Sequence, residues 1–327
     1  MALLAAAALA AGCGGGSRSQ DPTQSVPQAG GLRDRIRAAE APVAAQFPAA
    51  RGRTLQQVAD AVGNAGPELA LAASQFDVGL NRVPFGVIDQ QGQPLYGRTA
   101  VYVAPTPSQR ARGPFVAPAD VLLTEPRYRS RQAATDSDVF AAVYAAQVRF
   151  TKPGKWAVLA VSQDGGRLVA AASQVDVSTP AADPIPRVGQ MAPRVHTDTL
   201  ADAKGDVSRI DTRQPPDDMH KVSFADVLGR KPVALLFATP QLCQSRVCGP
   251  VTDIEAQMEA KYGRQMDFIH QEVYRDNKPP ALREPLVRFH LRTEPWLFVV
   301  DRTGRITARL EGSIGVRAFE HAIRTGL

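Results

Sequence analysis

The stretch FATPQLCQSRVCGPVTDIEAQMEAKYG, from Phe237 to Gly263, sets Cys243 and Cys248 between a short apolar run and an amphipathic segment. Thiols at that spacing have three chemistries open to them. They can exchange a disulfide with a partner, stay joined as a staple, or hold Cu(I), which soft thiolates suit. A six-residue loop can bring two Cα atoms within the span of about 4.4–6.8 Å that a disulfide needs. A staple over so short a loop removes little entropy from the unfolded chain. After the second cysteine, Gly249 reads as a helix cap and Pro250 as the first helical residue, where its missing N–H does no harm. The unpaired N–H groups and positive dipole end of such a helix favour a thiolate. By dipole alone, Cys248 is the more acidic thiol.

The third cysteine, Cys13, ends a different pattern. The apolar run from Ala2 to Ala11 falls short of the about 20 residues that span a bilayer and has the length of a signal-peptide apolar region. Small residues and then a polar, Gly-rich tract follow it. The sequence LAAGC resembles the lipobox of bacterial lipoproteins, although no Lys or Arg precedes the run and Ala10 stands where Leu is usual. That resemblance implies a signal peptide over 1–13 and a lipid anchor on Cys13. The chain would then sit at the extracytoplasmic face of the cell membrane, where disulfides persist. With Cys13 so consumed, Cys243 and Cys248 remain as an even pair.

A chain of 327 residues suggests two domains with connecting segments. Its formal charge of +6 is spread among acidic residues without a basic stripe or interleaved aromatics, so no nucleic-acid partner is expected. Residues 14–65, rich in Gly, Pro, Ser and Gln, read as a flexible tether, with a possible short helix at RTLQQVADAVGN capped by Thr54. Residues 66–179 change to short apolar runs such as RTAVYVA, VYAAQVRF, KWAVLAVSQ and LVAAASQVDV, punctuated by turns, which predict an antiparallel β-sandwich. VRFTKPGKWAVLAV resembles a strand-turn-strand unit of immunoglobulin-like (Ig-like) domains, with Trp156 in the core. Residues 180–221, broken by proline, read as a linker. His196 and His220, with 23 residues between them and no further ligand spacing, read as solvated.

From 222 to 327 the pattern is β-α-β-α-β-β-α: PVALLFA, the helix after the cysteines, MDFIHQEVY, PALREPLVRFHL, WLFVVD, RITARLEG and GVRAFEHAIRTGL. This order, with a cysteine pair after the first strand and TEPWLFVVD at the third, resembles the thioredoxin superfamily and its TlpA/Sco-like members. The fold class expected is therefore multidomain, an antiparallel Ig-like sandwich followed by an α/β thioredoxin-like domain. The resemblance implies that Cys243 and Cys248 lie at the start of the first core helix, opposite a cis Pro295. It makes Cys243 the exposed attacking thiol and Cys248 the resolving one, while Arg246 between them adds positive charge. CQSRVC departs from the family in carrying four residues between its cysteines where thioredoxins carry two. The implied function is a membrane-anchored thiol-disulfide oxidoreductase for extracytoplasmic protein thiols or disulfides, needing no cofactor and no metal. The alternatives are a redox-silent scaffold and copper handling. FATPQLCQSRVC also resembles the Sco copper chaperones, whose histidine position falls close to Thr293, with His290 nearby and His270 in FIHQEVY.

Overall fold

Residues 21–63, 66–132 and 140–327 are described by the computed structural model; Cys13 and its apolar run lie outside them. Where a tether is expected, the chain instead forms two packed helices, α1 (Leu32–Ala39) and α2 (Leu55–Val62). The start of α2 is a capping box. The Thr54 hydroxyl accepts from the Gln57 N–H at 3.2 Å, and the Gln57 side chain accepts from the Thr54 N–H at 2.9 Å. Composition argued for a tether because apolar residues are sparse there. The few present, Ile36 and Ala39 in one core and Phe47, Leu55, Val58 and Val62 in another, find sheet surfaces to cover.

Those surfaces belong to two sheets. Their strands are β1 (Glu68–Leu71), β2 (Phe76–Asp77), β3 (Gly79–Ile88), β4 (Thr99–Ala104), β5 (Arg112–Val116), β6 (Ala119–Val121), β7 (Ala142–Phe150), β8 (Gly154–Asp164) and β9 (Arg167–Ser178). One sheet has the order β1-β3-β7-β6 and the other β2-β9-β8-β4-β5. All pairings are antiparallel except that of β2 with β9, which is parallel and departs from the purely antiparallel expectation. Alternation along β4 decides what each face meets: Val101 and Val103 enter the core between the sheets, while Ala100, Tyr102 and Ala104 lie under α2. Trp156 is buried in the shared core, edge-on to Phe150 with ring centroids 5.3 Å apart, and its Nε1–H donates to the Lys152 carbonyl.

The last third contributes α3 (Phe224–Val227), β10 (Val233–Phe237), α4 (Cys248–Tyr262), β11 (Asp267–Gln271), α5 (Glu284–Arg288), β12 (Trp296–Val300), β13 (Ile306–Glu311) and α6 (Val316–Gly326). The sheet order is β11-β10-β12-β13, with β10 parallel to β11 and antiparallel to β12. Both faces are covered, as a continuous apolar run such as VALLF requires. One face packs on α4 and α6 through Val251, Ile254, Met258, Phe319 and Ile323. The other packs on Phe224, Leu286 and Phe289 and on Ile185, Ala192 and Val195. The proline-broken segment 180–221 is thus a strap along this sheet.

The two units are docked by specific contacts. The Asp120 carboxylate, from β6, accepts from the N–H groups of Arg317 and Ala318 at 3.0 and 2.9 Å and so caps α6 from the neighbouring unit. Glu311 at the end of β13 accepts from the Ser74 and Gln75 N–H groups at 3.1 and 2.9 Å. Beside it Gly312, at φ +77°, lies so close that a Cβ would stand 1.5 Å from the Ala72 carbonyl oxygen.

Candidate functional site: the cysteine pair

The end of β10 and the start of α4 bring Cys243 and Cys248 together. Helix α4 begins at Cys248 itself, two residues before the expected start, and Pro250 falls within the first turn, where its missing N–H is tolerated. Gly249 is therefore inside the helix rather than its cap. It is also a point of contact, since a Cβ there would stand 2.2 Å from the Gln132 carbonyl oxygen.

The loop turns through Arg246, whose φ is +57°, and its backbone is held by Cys243 N–H donating to Thr239 and Arg246 N–H donating to Cys243. Both thiols are free, and Cys243 keeps 8% of its surface exposed while Cys248 keeps none. Their acidities split accordingly. The Cys248 thiol donates to the Cys243 sulfur; the Ser245 hydroxyl, 3.3 Å away, and the N–H groups of Cys248 and Val247 add to it. Together they outweigh burial and hold Cys243 down at about 6. Burial, then the hydrogen bond to Cys243 and its charge, pushes Cys248 well above the usual thiol range. The dipole expectation for Cys248 fails because its own thiol is enclosed, and the helix start serves the sulfur in front of it. Arg246 is exposed, and the groups named above precede any contribution from it to Cys243.

Pro295 lies at the start of β12, after a cis Glu294–Pro295 bond, and its carbonyl accepts from the Gly312 N–H at 2.8 Å. Sequence reasoning missed its neighbour. Burial, then the charges of Cys243 and Glu272, raise the Glu294 carboxyl to about 7, so it sits beside the thiol pair as a proton-holding group near neutrality. The signal was its place next to Pro295. Glu294, Ser245 and Val247 share the wall of a cavity of about 320 Å³ with Ala72, Phe140 and Val143 of the sheet unit. The cysteine loop therefore borders the cleft between the two units.

The residues considered for copper lie elsewhere. Thr293 accepts from the Trp296 indole at 3.0 Å and donates to Glu311 at 2.7 Å. His290 is exposed after α5, and His270 points into a buried cluster with Asp211, Asp217 and His220. That cluster corrects the solvated reading of His220, which is 3% exposed; His196 is exposed and paired with Asp202.

A β-α-β-α-β-β-α chain order, a sheet ordered second-first-third-fourth with the third strand antiparallel, and a cysteine pair opening the first core helix define a thioredoxin-fold domain. No family model matches the chain, and no curated protein matches it. Among solved structures, a putative thiol:disulfide interchange protein DsbE from Chlorobium tepidum is similar at 16% identity and a TM-score of 0.31, covering 43% of this chain and 98% of that one. A thioredoxin family thiol:disulfide interchange protein from Chlorobium tepidum TLS is similar at 17% identity and 0.28, over 44% and 99%. The PKD domain of the human VPS10 domain-containing receptor SorCS2 is similar at 17% and 0.19, over 36% and 76%.

Proposed function

We propose that this chain is an extracytoplasmic thiol-disulfide oxidoreductase, anchored through lipid on Cys13 and acting on protein clients that enter the cleft between an Ig-like sheet unit and the thioredoxin-fold domain. The observation that carries this reading is the unequal pair at the start of α4. Cys243 is partly open, served by Cys248, Ser245 and two backbone N–H groups, and anionic near neutral pH, while Cys248 is enclosed and protonated.

In the reducing direction the Cys243 thiolate attacks one sulfur of a client disulfide, forming a mixed disulfide and releasing the other client sulfur as a thiolate. Cys248 then gives up its proton and attacks Cys243. The Cys243–Cys248 disulfide forms, the client bond breaks, and two electrons have passed to the client. Run backwards, the same steps oxidise a client dithiol. Glu294, with its carboxyl near 7, is placed to hold a proton during the exchange.

Trapping tests the reading. With Cys248→Ser in the full chain, Cys243 should accumulate mixed disulfides with extracytoplasmic proteins, and Cys243→Ser should not. If neither variant captures a client and both thiols react only after unfolding, the pair is a staple and the reading fails. Anchoring is tested separately: Cys13→Ala should move the protein out of the membrane fraction, and unchanged retention would refute the anchor.

A further inference from the structure

The strap and the sheet meet beneath the cysteine loop in a cluster that thiol exchange does not use. Asp211, Asp217 and His220 come from the strap and His270 from β11, and one donor atom of each lies within 4.8 Å of all the others. We propose that these four side chains form a buried site for a divalent transition-metal cation of the zinc class, fastening the strap to the sheet.

The spacing fits. Tetrahedral zinc with N and O ligands at about 2.0–2.2 Å sets its ligands about 3.3–3.6 Å apart. The His220 Nε2 stands 3.4 Å from Asp217 Oδ1 and 3.6 Å from Asp211 Oδ2, and the His270 Nδ1 stands 3.8 Å from Asp211 Oδ1 and 2.8 Å from Asp217 Oδ2.

The surrounding hydrogen bonds orient the ligands. His270 Nε2 faces the Ala238 carbonyl at 3.2 Å, while its Nδ1 hydrogen-bonds Asp217 Oδ2 at 2.8 Å, where a bound cation would take the place of the proton. The Asp211 carboxylate accepts from the Arg213 and Asp217 N–H groups at 2.7 and 2.8 Å, and the Asp217 carboxylate accepts from Met219 N–H at 3.0 Å.

A further group points to a cation. Among the described residues His220, 3% exposed, makes no hydrogen bond through either ring nitrogen, although Nε2 faces both carboxylates. Buried polar groups are normally paired, and a cation would satisfy this one. The donor set holds imidazole and carboxylate without thiolate, which favours zinc-class ions over Cu(I). Enclosure of all four ligands makes the site a clamp rather than a reaction centre. Thr212, next to Asp211, receives the Gln241 N–H from the cysteine loop at 3.2 Å, so the clamp also steadies that loop.

The test uses the full chain with all three cysteines replaced by serine, which removes thiolate ligands and makes the outcome independent of redox activity. After chelation and dialysis it is titrated with Co(II) and Zn(II). Expected are one equivalent of Co(II) with the strong visible absorption of a tetrahedral site, its displacement by Zn(II), and a rise in melting temperature with Zn(II). His220→Gln should abolish all three, and His196→Gln should change none. No absorption and no melting shift in the chain with intact ligands would overturn the proposal, leaving a proton-held network. Undiminished binding in His220→Gln would overturn it as well. Should His220→Gln fail to fold, the titration of the cysteine-free chain decides alone.

Discussion

Helices α4 and α6 belong to the same domain, and each presents unpaired N–H groups at its start to an acceptor from outside the helix. At α6 the acceptor is the Asp120 carboxylate, reaching across from β6, and the result is a dock. At α4 it is the Cys243 sulfur, one loop upstream, and the result is an acidic thiol. The same backbone feature serves both ends, and what differs is enclosure. Asp120 is sealed near the half-buried Arg82, and burial pushes its carboxyl up despite the N–H groups and the guanidinium. Cys243 keeps 8% of its surface exposed on a loop that borders the cleft, so its charge is within reach of solvent. A helix start becomes a joint or a reaction site according to whether its acceptor can be reached.

The largest expected effect breaks the joint. Asp120→Ala removes the cap on α6 and leaves two N–H groups at the joint without their acceptor, which should destabilise the chain by about 2–4 kcal/mol in urea unfolding followed by Trp fluorescence. Asp120→Asn keeps an acceptor and should lose less. A change below about 1 kcal/mol for the alanine variant would mean that the units dock without this contact.

A smaller effect reads the reactive start. With Cys243 at about 6, the alkylation rate of the Cys248→Ala chain tests how much of that acidity the second thiol supplies. In the wild-type reduced chain the rate at pH 5 should be about a tenth of that at pH 7, because the thiolate fraction falls about tenfold for each pH unit below the midpoint. The rate should level off above pH 7. Without the Cys248 thiol the midpoint should move up, towards the ordinary thiol value. A wild-type rate still climbing tenfold per unit through pH 8 would remove the distinction between the two helix starts.

The smallest effect concerns Glu294. With its carboxyl near 7 it is protonated between pH 5 and 6, so Glu294→Gln, which keeps that neutral form, should change alkylation there by less than about twofold. A larger fall in rate would show that the carboxyl assists the thiolate.

Local pattern made much of the fold legible. The capping residues Thr54 and Gln57, the apolar runs of β10 and β12, and the apolar face Val251, Ile254, Met258 and Tyr262 on α4 each record a backbone preference or a buried face within a few neighbouring residues. The cysteine pair was legible for the same reason, being close in sequence. The start of α4 was misread because Gly249 and Pro250 signal a helix start locally, whereas the helix begins two residues earlier, where the Cys243 sulfur receives the free N–H groups. Asp253 and Glu255 gave no sign of burial; helix α4 is enclosed through Glu255 because the strap and the sheet unit cover it, and Asp253 meets Arg213 of the strap at 3.0 Å.

By itself the sequence determined the period of most elements and the presence of a thiol pair next to a helix, since these follow from short-range patterning. Tertiary structure decided which thiol is acidic, that Glu294 stands beside it, and that Asp211, Asp217, His220 and His270 converge. Those outcomes depend on enclosure and on distances between residues up to 59 positions apart, as for Asp211 and His270. Burial and long-range approach are created only when sheet, strap and helix pack together.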